Sequence, residues 1–103
     1  MPVDVAMNTV SIIIVSYNTC ALLQACLQHL LTLHEAQEII VVDNASSDGS
    51  AALVESQFPT VQLIKLAENR GLTVASNLGL AAAHGDFILY LGSDAYPAAG
   101  PFM

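Results

Sequence analysis

The chain has 103 residues, nine of them acidic and two, Lys65 and Arg70, basic, and its formal net charge is −7. Hydrophobic residues make up 54% of the chain and charged residues 11%, a composition that excludes intrinsic disorder. Two cations cannot form a basic patch, so we expect no nucleic acid partner. A chain of this length folds as one domain with a modest core, and we predict a single domain over residues 1–103.

No segment of the sequence is typical of a membrane span or a signal peptide. No apolar run approaches the ~18–20 residues of a membrane-spanning helix, and the first ten residues lack a cationic region. Cys20 and Cys26 stand six residues apart in a helical pattern, which suits neither a disulfide nor a metal site. Two reduced cysteines fit a cytoplasmic chain, with the inner face of the membrane as one place of action.

The first predicted elements are a strand, a helix and a second strand. Val10–Ser16 and Ile39–Val42 are apolar at successive positions, which is typical of strands buried on both faces of a parallel sheet. Between them, apolar side chains recur at three-to-four spacing and predict one helix face, made of Leu22, Leu23, Cys26, Leu27, Leu30 and Leu31.

A shorter helix and a more polar strand come next. The helix has Ser47 and Asp48 as candidate caps, and it must end by Phe58 because Pro59 follows. The third strand, Val61–Leu66, keeps two polar side chains and is predicted to be an edge strand.

A third helix and a fourth strand complete the alternation. Small residues dominate the helix, so it can lie close to the sheet, and Gly85 is predicted to be its C-cap. The fourth strand, Phe87–Leu91, is apolar at every position, like the first two, and is predicted to be buried on both faces. The apolar face of the third helix consists of Leu72, Ala75, Leu78 and Ala82.

The order of elements is β-α-β-α-β-α-β, which predicts an α/β fold. Right-handed crossovers between parallel strands give a Rossmann-like half of a doubly wound sheet, with strand order 3-2-1-4 and helices on both faces. In such sheets, ligands bind at the carboxyl ends of the strands, at the point where the chain reverses its direction across the sheet.

Polar residues follow each predicted strand, and the topology brings them to one rim. Polar connections alone are ordinary in α/β proteins, but four of them with carboxylates after the second and fourth strands favour a binding site. The sequence lacks a G-x-G-x-x-G or Walker A fingerprint. Carboxylates, amides and hydroxyls suit a ribose, the edge of a uracil-like base, sugar hydroxyls and a hard divalent cation. The rim segments are Ser16 to Asn18, Asp43 to Gly49, Glu68 to Gly71 and Gly92 to Asp94.

With these segments in order, the chain resembles the N-terminal half of the family 2 inverting glycosyltransferases, which use nucleotide-sugar donors on a GT-A fold. The resemblance runs from about Val10 to Pro97 and is nearest the rhamnosyltransferase-like branch. It rests on the first strand with its loop, on the second strand with Asp43 to Ser50, and on Asn69-x-Gly71 with Ala75-x-Asn77-x-Gly79. Because the second half of the family domain is missing from this sequence, we expect the chain to be truncated.

The resemblance implies a role for each rim position. Asp43 would accept a hydrogen bond from the base, Arg70 would lie near the phosphates or the base, and Asp94 would coordinate Mg²⁺ or Mn²⁺. The donor would be a UDP- or dTDP-sugar. The remaining implied contacts to the nucleotide-sugar come from Ser16, Tyr17, Asn18 and Ser93.

Structural roles are the alternatives for the carboxylates. Asp43 could serve as a turn residue and Asp94 as a loop acid, and Asp48 is expected to cap the second helix rather than to contact ligand. Gly92 stands where the family carries an Asp or Asn, which removes one expected contact to the metal or the sugar.

The sequence assigns no catalytic base, so whether this chain transfers sugar by itself stays open. A non-catalytic remnant that acts as an oligomerisation or partner-binding module is the alternative function. A nicotinamide-binding oxidoreductase shares the topology but lacks the glycine fingerprint. Because the fourth strand has no charge in its body and would lie at an open edge, we expect a homo-oligomer formed through it.

Overall fold

A computed structural model describes residues 9–32 and 37–92 of the chain. It contains the strands β1 (Val10–Ser16), β2 (Gln37–Asp43), β3 (Gln62–Lys65) and β4 (Phe87–Gly92), and the helices α1 (Cys20–Leu31), α2 (Ser50–Gln57) and α3 (Gly71–Ala82). The predicted ligands Ser93 and Asp94 lie outside the described residues.

The four strands form one sheet in the order β3-β2-β1-β4, and every pairing is parallel. The predicted fold class and strand order are therefore confirmed. Strand β3 ends the sheet on one side, as its polar residues indicated, and β4 ends it on the other.

The core has two layers because successive strand residues point to opposite faces of the sheet. On one face, Ile12 and Ile14 pack with leucines of α1, with Val54 of α2 and with Phe58, the residue that follows α2. On the other face, Ile40 and Val42 pack against Ala75 of α3. Cys20 and Cys26 are both unpaired, as predicted, and burial raises the pKa of the Cys26 thiol.

The prediction that the fourth strand is buried on both faces was wrong. Phe87, Ile88 and Tyr90 are exposed, while Leu89 and Leu91 pack against the core on the α1 side. On the α3 side, Ile88 and Tyr90 are exposed because α3 packs against β1 and β2, whereas Phe87 is exposed on the α1 face, at the start of the strand.

The predicted role of Gly85 was also wrong. Helix α3 ends at Ala82, its C-cap is Ala83 with an extended backbone, and Gly85 instead lies against the start of β1. A Cβ atom at Gly85 would stand 2.7 Å from the backbone nitrogen of Ser11 and 2.6 Å from its Oγ. Gly79 allows a similar approach of α3 to the sheet, because a Cβ there would lie 2.5 Å from Cγ2 of Ile13.

Candidate functional site

The candidate site lies at the carboxyl ends of β1 and β2. Ser16 and Asp43 are paired residues in the register of these two strands, so both strands end at the same level. The backbone N–H of Asn44 donates to the carbonyl of Ser16 over 2.9 Å and continues the pairing one residue further. The structure thus brings together the first two rim segments that the sequence singled out.

Among the rim residues, Asp43 has the burial and hydrogen bonding that most strongly indicate a binding site. Its side chain is buried, with 3% of the residue exposed, and Oδ2 accepts the backbone N–H of Ser46 over 3.0 Å. Its other oxygen, Oδ1, is buried without a hydrogen-bond partner, and in the described residues it is the one such side-chain atom. Leaving a buried acceptor unpaired costs about 1–3 kcal/mol, so such an atom calls for a ligand or another explanation.

The loops after β1 and β2 hold each other in place through Asn18. The Asn18 backbone N–H donates to Oγ of Ser46 over 2.9 Å, and its Oδ1 accepts the backbone N–H of Ser47 over 2.8 Å. Asn18 has φ 52° and Ala45 has φ 69°, both in the left-handed region that non-glycine residues seldom adopt. Backbone strain of this kind concentrates at functional sites, where the surrounding structure maintains it.

Asp48 joins the beginnings of two helices, which sequence reasoning found only in part. Its Oδ1 accepts the Ser50 hydroxyl and backbone N–H over 2.6 and 3.1 Å at the start of α2, but the N-cap position itself belongs to Gly49 and not to the predicted Ser47 or Asp48. Its Oδ2 accepts the backbone N–H of Cys20, the first residue of α1, over 3.0 Å. The Ser50 hydroxyl bond and these backbone bonds lower the pKa of Asp48. Its carboxylate is therefore committed to the fold.

Asn44 is a rim residue to which the sequence assigned no role. It is buried, with 3% exposed, and its Oδ1 accepts the backbone N–H of Arg70 over 2.8 Å. Its Nδ2 donates to the carbonyl of Gly71 over 3.4 Å. These bonds tie the loop before α3 to the end of β2, so the third rim segment is held beside the second.

The remaining predicted ligands differ in accessibility. Ser16 is fully buried and its Oγ lies 3.1 Å from Oγ1 of Thr19, whereas Tyr17 is half exposed and Arg70 is exposed. Ser16 is thus placed to support the loop, and Tyr17 and Arg70 are accessible to a ligand.

A separate apolar cleft of about 230 Å³ lies between α3 and β4. None of the predicted nucleotide ligands lines it, so it is a neighbour of the candidate site rather than the site itself. Its walls are Ile13, Val15, Leu72, Ser76, Tyr90, Leu91 and Gly92.

The described residues hold no cluster of three or more histidine, cysteine or acidic side chains that could bind a metal ion. The predicted metal ligand Asp94 lies outside them. No helix within the described ranges is long and apolar enough to cross a membrane.

A model of glycosyl transferase family 2 matches residues 11–100. The chain belongs to this family. Among curated relatives, it is 34% identical over 96 residues to a glycosyltransferase of Haemophilus influenzae, covering 89% of this chain and 38% of the relative. It is 36% identical over 87 residues to the succinoglycan biosynthesis protein ExoO of Rhizobium meliloti, covering 82% of this chain and 25% of the relative.

Solved structures of GT-A glycosyltransferases share its fold. The mannosyltransferase PcManGT of Pyrobaculum calidifontis, in complex with GDP-Man and Mn²⁺, superimposes with a TM-score of 0.76 at 29% identity, over 84% of this chain and 27% of that one. TarS of S. aureus in complex with UDP-GlcNAc gives 0.76 at 27% identity, over 84% and 26%. The family 2 chain therefore spans between about a quarter and two fifths of the length of these relatives.

Proposed function

We propose that this family 2 domain binds the nucleotide of a UDP- or dTDP-sugar and, within a full-length enzyme, serves an inverting transfer of the sugar to an acceptor hydroxyl. The buried, unpartnered Oδ1 of Asp43 is the observation that carries the proposal. Related structures that hold GDP-Man, UDP or UDP-GlcNAc support a nucleotide-sugar as the ligand class.

The hydrogen-bond state of Asp43 favours a pyrimidine base. Its Oδ2 already accepts Ser46, so one oxygen is free to accept one N–H. The imide of uracil or thymine presents one such donor. The pairing edge of guanine presents two adjacent donors, which a carboxylate satisfies best with both oxygens. UDP and dTDP should therefore bind more tightly than GDP.

Around this carboxylate we place the other ligands. Tyr17 and Asn18 follow β1, and the exposed Arg70 at the start of α3 is available to a phosphate or to the base. In this proposal, the buried Ser16 forms the floor of the nucleotide site and Ser93 contacts the nucleotide-sugar. Within the family, the signature loops favour the rhamnosyltransferase-like branch.

A divalent cation, Mg²⁺ or Mn²⁺, belongs to the proposal through Asp94 alone. The Mn²⁺ of the related mannosyltransferase supports a metal in the family. The described residues do not form a metal site by themselves, so no step of the proposal depends on the ion. When bound, such an ion offsets the charge of a diphosphate, which matters in a chain of net charge −7.

Calorimetry with UDP, dTDP and GDP, with and without Mn²⁺, tests the proposal. Asp43→Ala should weaken UDP binding roughly 10- to 150-fold, because it removes a hydrogen bond to a charged acceptor. Glu55→Ala removes the same charge from the exposed face of α2 and is the matched control, with UDP affinity unchanged. Equal UDP affinity in the wild type and Asp43→Ala would refute the assignment.

The exposed apolar residues of β4, on both of its faces, favour a second candidate, an oligomerisation module. Phe87, Ile88 and Tyr90 present apolar surface beside a strand edge that has no partner in the described sheet. We propose a homo-oligomer formed through β4. Light scattering at low and moderate salt should show a dimer that Tyr90→Lys disrupts. A wild-type monomer at tens of micromolar in both buffers would contradict it.

We also propose that the chain acts in the cytoplasm, including at the inner face of the membrane.

A further inference from the structure

We infer that Asn44 is a positioning residue for the nucleotide site, whose buried amide sets where Arg70 stands relative to Asp43. This inference rests on the proposed function and adds a residue that contacts no ligand itself.

The first observation is that the backbone N–H and both polar side-chain atoms of Asn44 form hydrogen bonds. Its backbone N–H donates to Ser16 over 2.9 Å, its Oδ1 accepts Arg70 N–H over 2.8 Å, and its Nδ2 donates to the Gly71 carbonyl over 3.4 Å. One buried residue therefore connects the end of β1, through its backbone, with the loop that leads into α3, through its side chain. The amide is suited to this role because it offers a donor and an acceptor side by side.

The second observation is that the Asn44 side-chain bonds lie beyond the last backbone bond that holds this part of the chain to the sheet. The last backbone bond between β2 and the chain after β3 runs from Leu66 N–H to the Asp43 carbonyl, over 3.0 Å. Beyond it, the chain leaves the sheet, and Asn69 Oδ1 accepts Gly71 N–H over 2.9 Å, which closes the loop only on itself. Asn44 supplies the contacts that fix this loop against the sheet.

The third observation is the turn that Asn44 encloses. Gly71, the first residue of α3, has φ +84°, a conformation that glycine adopts without strain and that other residues seldom take. Asn44 binds the N–H on one side of this turn and the carbonyl on the other. These two hydrogen bonds set the direction in which α3 starts, and with it the position of the Arg70 side chain.

The consequence for the site follows from charge. Arg70 is one of two cations in a chain of net charge −7, so its placement decides how well a diphosphate is tolerated near the rim. Asn44 is bonded covalently to Asp43 and by one hydrogen bond to the Arg70 backbone N–H. It therefore sets the distance between the group proposed to read the base and the cation proposed to meet the nucleotide.

The test combines amide hydrogen exchange by NMR with calorimetry of UDP, on the full chain. In Asn44→Ala, which removes the side-chain bonds to Arg70 and Gly71, the Arg70 amide should exchange at least about tenfold faster. UDP should bind roughly 2- to 12-fold more weakly, a loss of the size of one neutral hydrogen bond. Core amides such as Val41 should be unchanged. Gln28→Ala, an amide truncation on the exposed side of α1, is the control and should alter neither measurement.

A double-mutant cycle separates positioning from general destabilisation. If Asn44 acts through Arg70, Asn44→Ala should weaken UDP binding in the wild type but not in an Arg70→Ala background. An equal loss in both backgrounds, or an Arg70 amide that exchanges at its wild-type rate, would overturn the inference. Asn44→Asp keeps the acceptor for the Arg70 amide, so that amide should stay protected even if Asn44→Ala fails to fold.

The two proposals fail in different ways. If no nucleotide binds to the wild type, the proposed function and the ligand role of Asn44 fall together, while exchange at Arg70 still reports the contact. If UDP binds through Asp43 but is indifferent to Asn44, the proposed function stands and the positioning role is refuted.

Discussion

Strand β2 carries a carboxylate near each end, and the two are held in opposite ways. Glu38, near the amino end, is 28% exposed in its side chain, yet both of its oxygens have partners. They accept Ser11 Oγ over 2.8 Å and the backbone N–H of His84 over 2.7 Å, and Oε2 lies 3.1 Å from Nδ1 of His84. Asp43, at the carboxyl end, is almost completely buried and keeps one oxygen without a partner.

The difference separates a carboxylate whose oxygens are both bonded within the fold from one that keeps a buried oxygen unpaired. Glu38 joins β1, β2 and the connection between α3 and β4, and the backbone N–H of His84, followed by its side chain and by Ser11, lowers the pKa of Glu38. A carboxylate bonded in this way stabilises the folded protein. An acceptor buried like Asp43 costs stability in the free protein, which is a common feature of binding sites.

The largest effect on stability is expected at the Glu38 end, from Gly85→Ala. The new methyl would meet the Ser11 backbone, which cannot move aside without disturbing β1, so unfolding should become easier by about 3 kcal/mol. Gly49→Ala is the comparison, because it has φ +88° but no atom within 4 Å of the new methyl, and should cost about 1–2 kcal/mol. Urea denaturation measures both. Equal losses would mean that the close approach at Gly85 carries no penalty.

Glu38→Gln should cost about 1 kcal/mol at pH 7, since partial exposure weakens the hydrogen bonds that the charge strengthens. The folded-state pKa of Glu38 is lowered, so its contribution is present above the ordinary value of 4.5 and is lost as the pH falls from there toward the lowered value. The stability gap between the wild type and Glu38→Gln should therefore shrink on acidification. A gap that is constant from pH 7 to pH 3 would contradict the role of the charge.

Asp43→Asn should change stability by less than about 1 kcal/mol, and in the stabilising direction. The amide oxygen can still accept Ser46 N–H and the buried charge is removed, while an amide NH₂ replaces the unpartnered oxygen and offsets part of that gain. UDP binding should be lost at the same time, because an amide N–H would face the imide N–H. Thermal unfolding and calorimetry on one sample check both. A loss of stability larger than that of Glu38→Gln would make Asp43 a structural residue.

The sequence was sufficient for the architecture because the alternation of apolar strands and amphipathic helices leaves few topologies. It also located Asp43 at the rim, since a carboxylate follows directly on a fully apolar strand. It did not find the partners that give each carboxylate its role. Glu38 meets His84 across 46 positions, and Asn44 meets Arg70 across 26. No local spacing encodes such contacts.

Two local patterns were misleading for physical reasons. A glycine beyond a helix usually marks a left-handed cap. Position 85 instead requires glycine because the Ser11 backbone leaves no room for a Cβ atom. An apolar strand is usually covered on both faces, but α3 packs over β1 and β2 and leaves one face of β4, at the predicted edge, exposed. In both cases the deciding contact is made by a distant part of the chain.

The smallest effect is expected for a third carboxylate, Glu55, which has a partner but little burial. It lies 2.8 Å from Nζ of Lys65, and the two side chains are 53% and 55% exposed. Exposed pairs of this kind contribute about 0–1 kcal/mol and less at high salt, so Glu55→Gln should change the free energy of unfolding by less than about 0.5 kcal/mol. Denaturation in low and high salt measures this. A larger loss that salt does not reduce would show that a partner alone makes a carboxylate structural, and burial would then no longer be needed to explain why Glu38 and Asp43 differ.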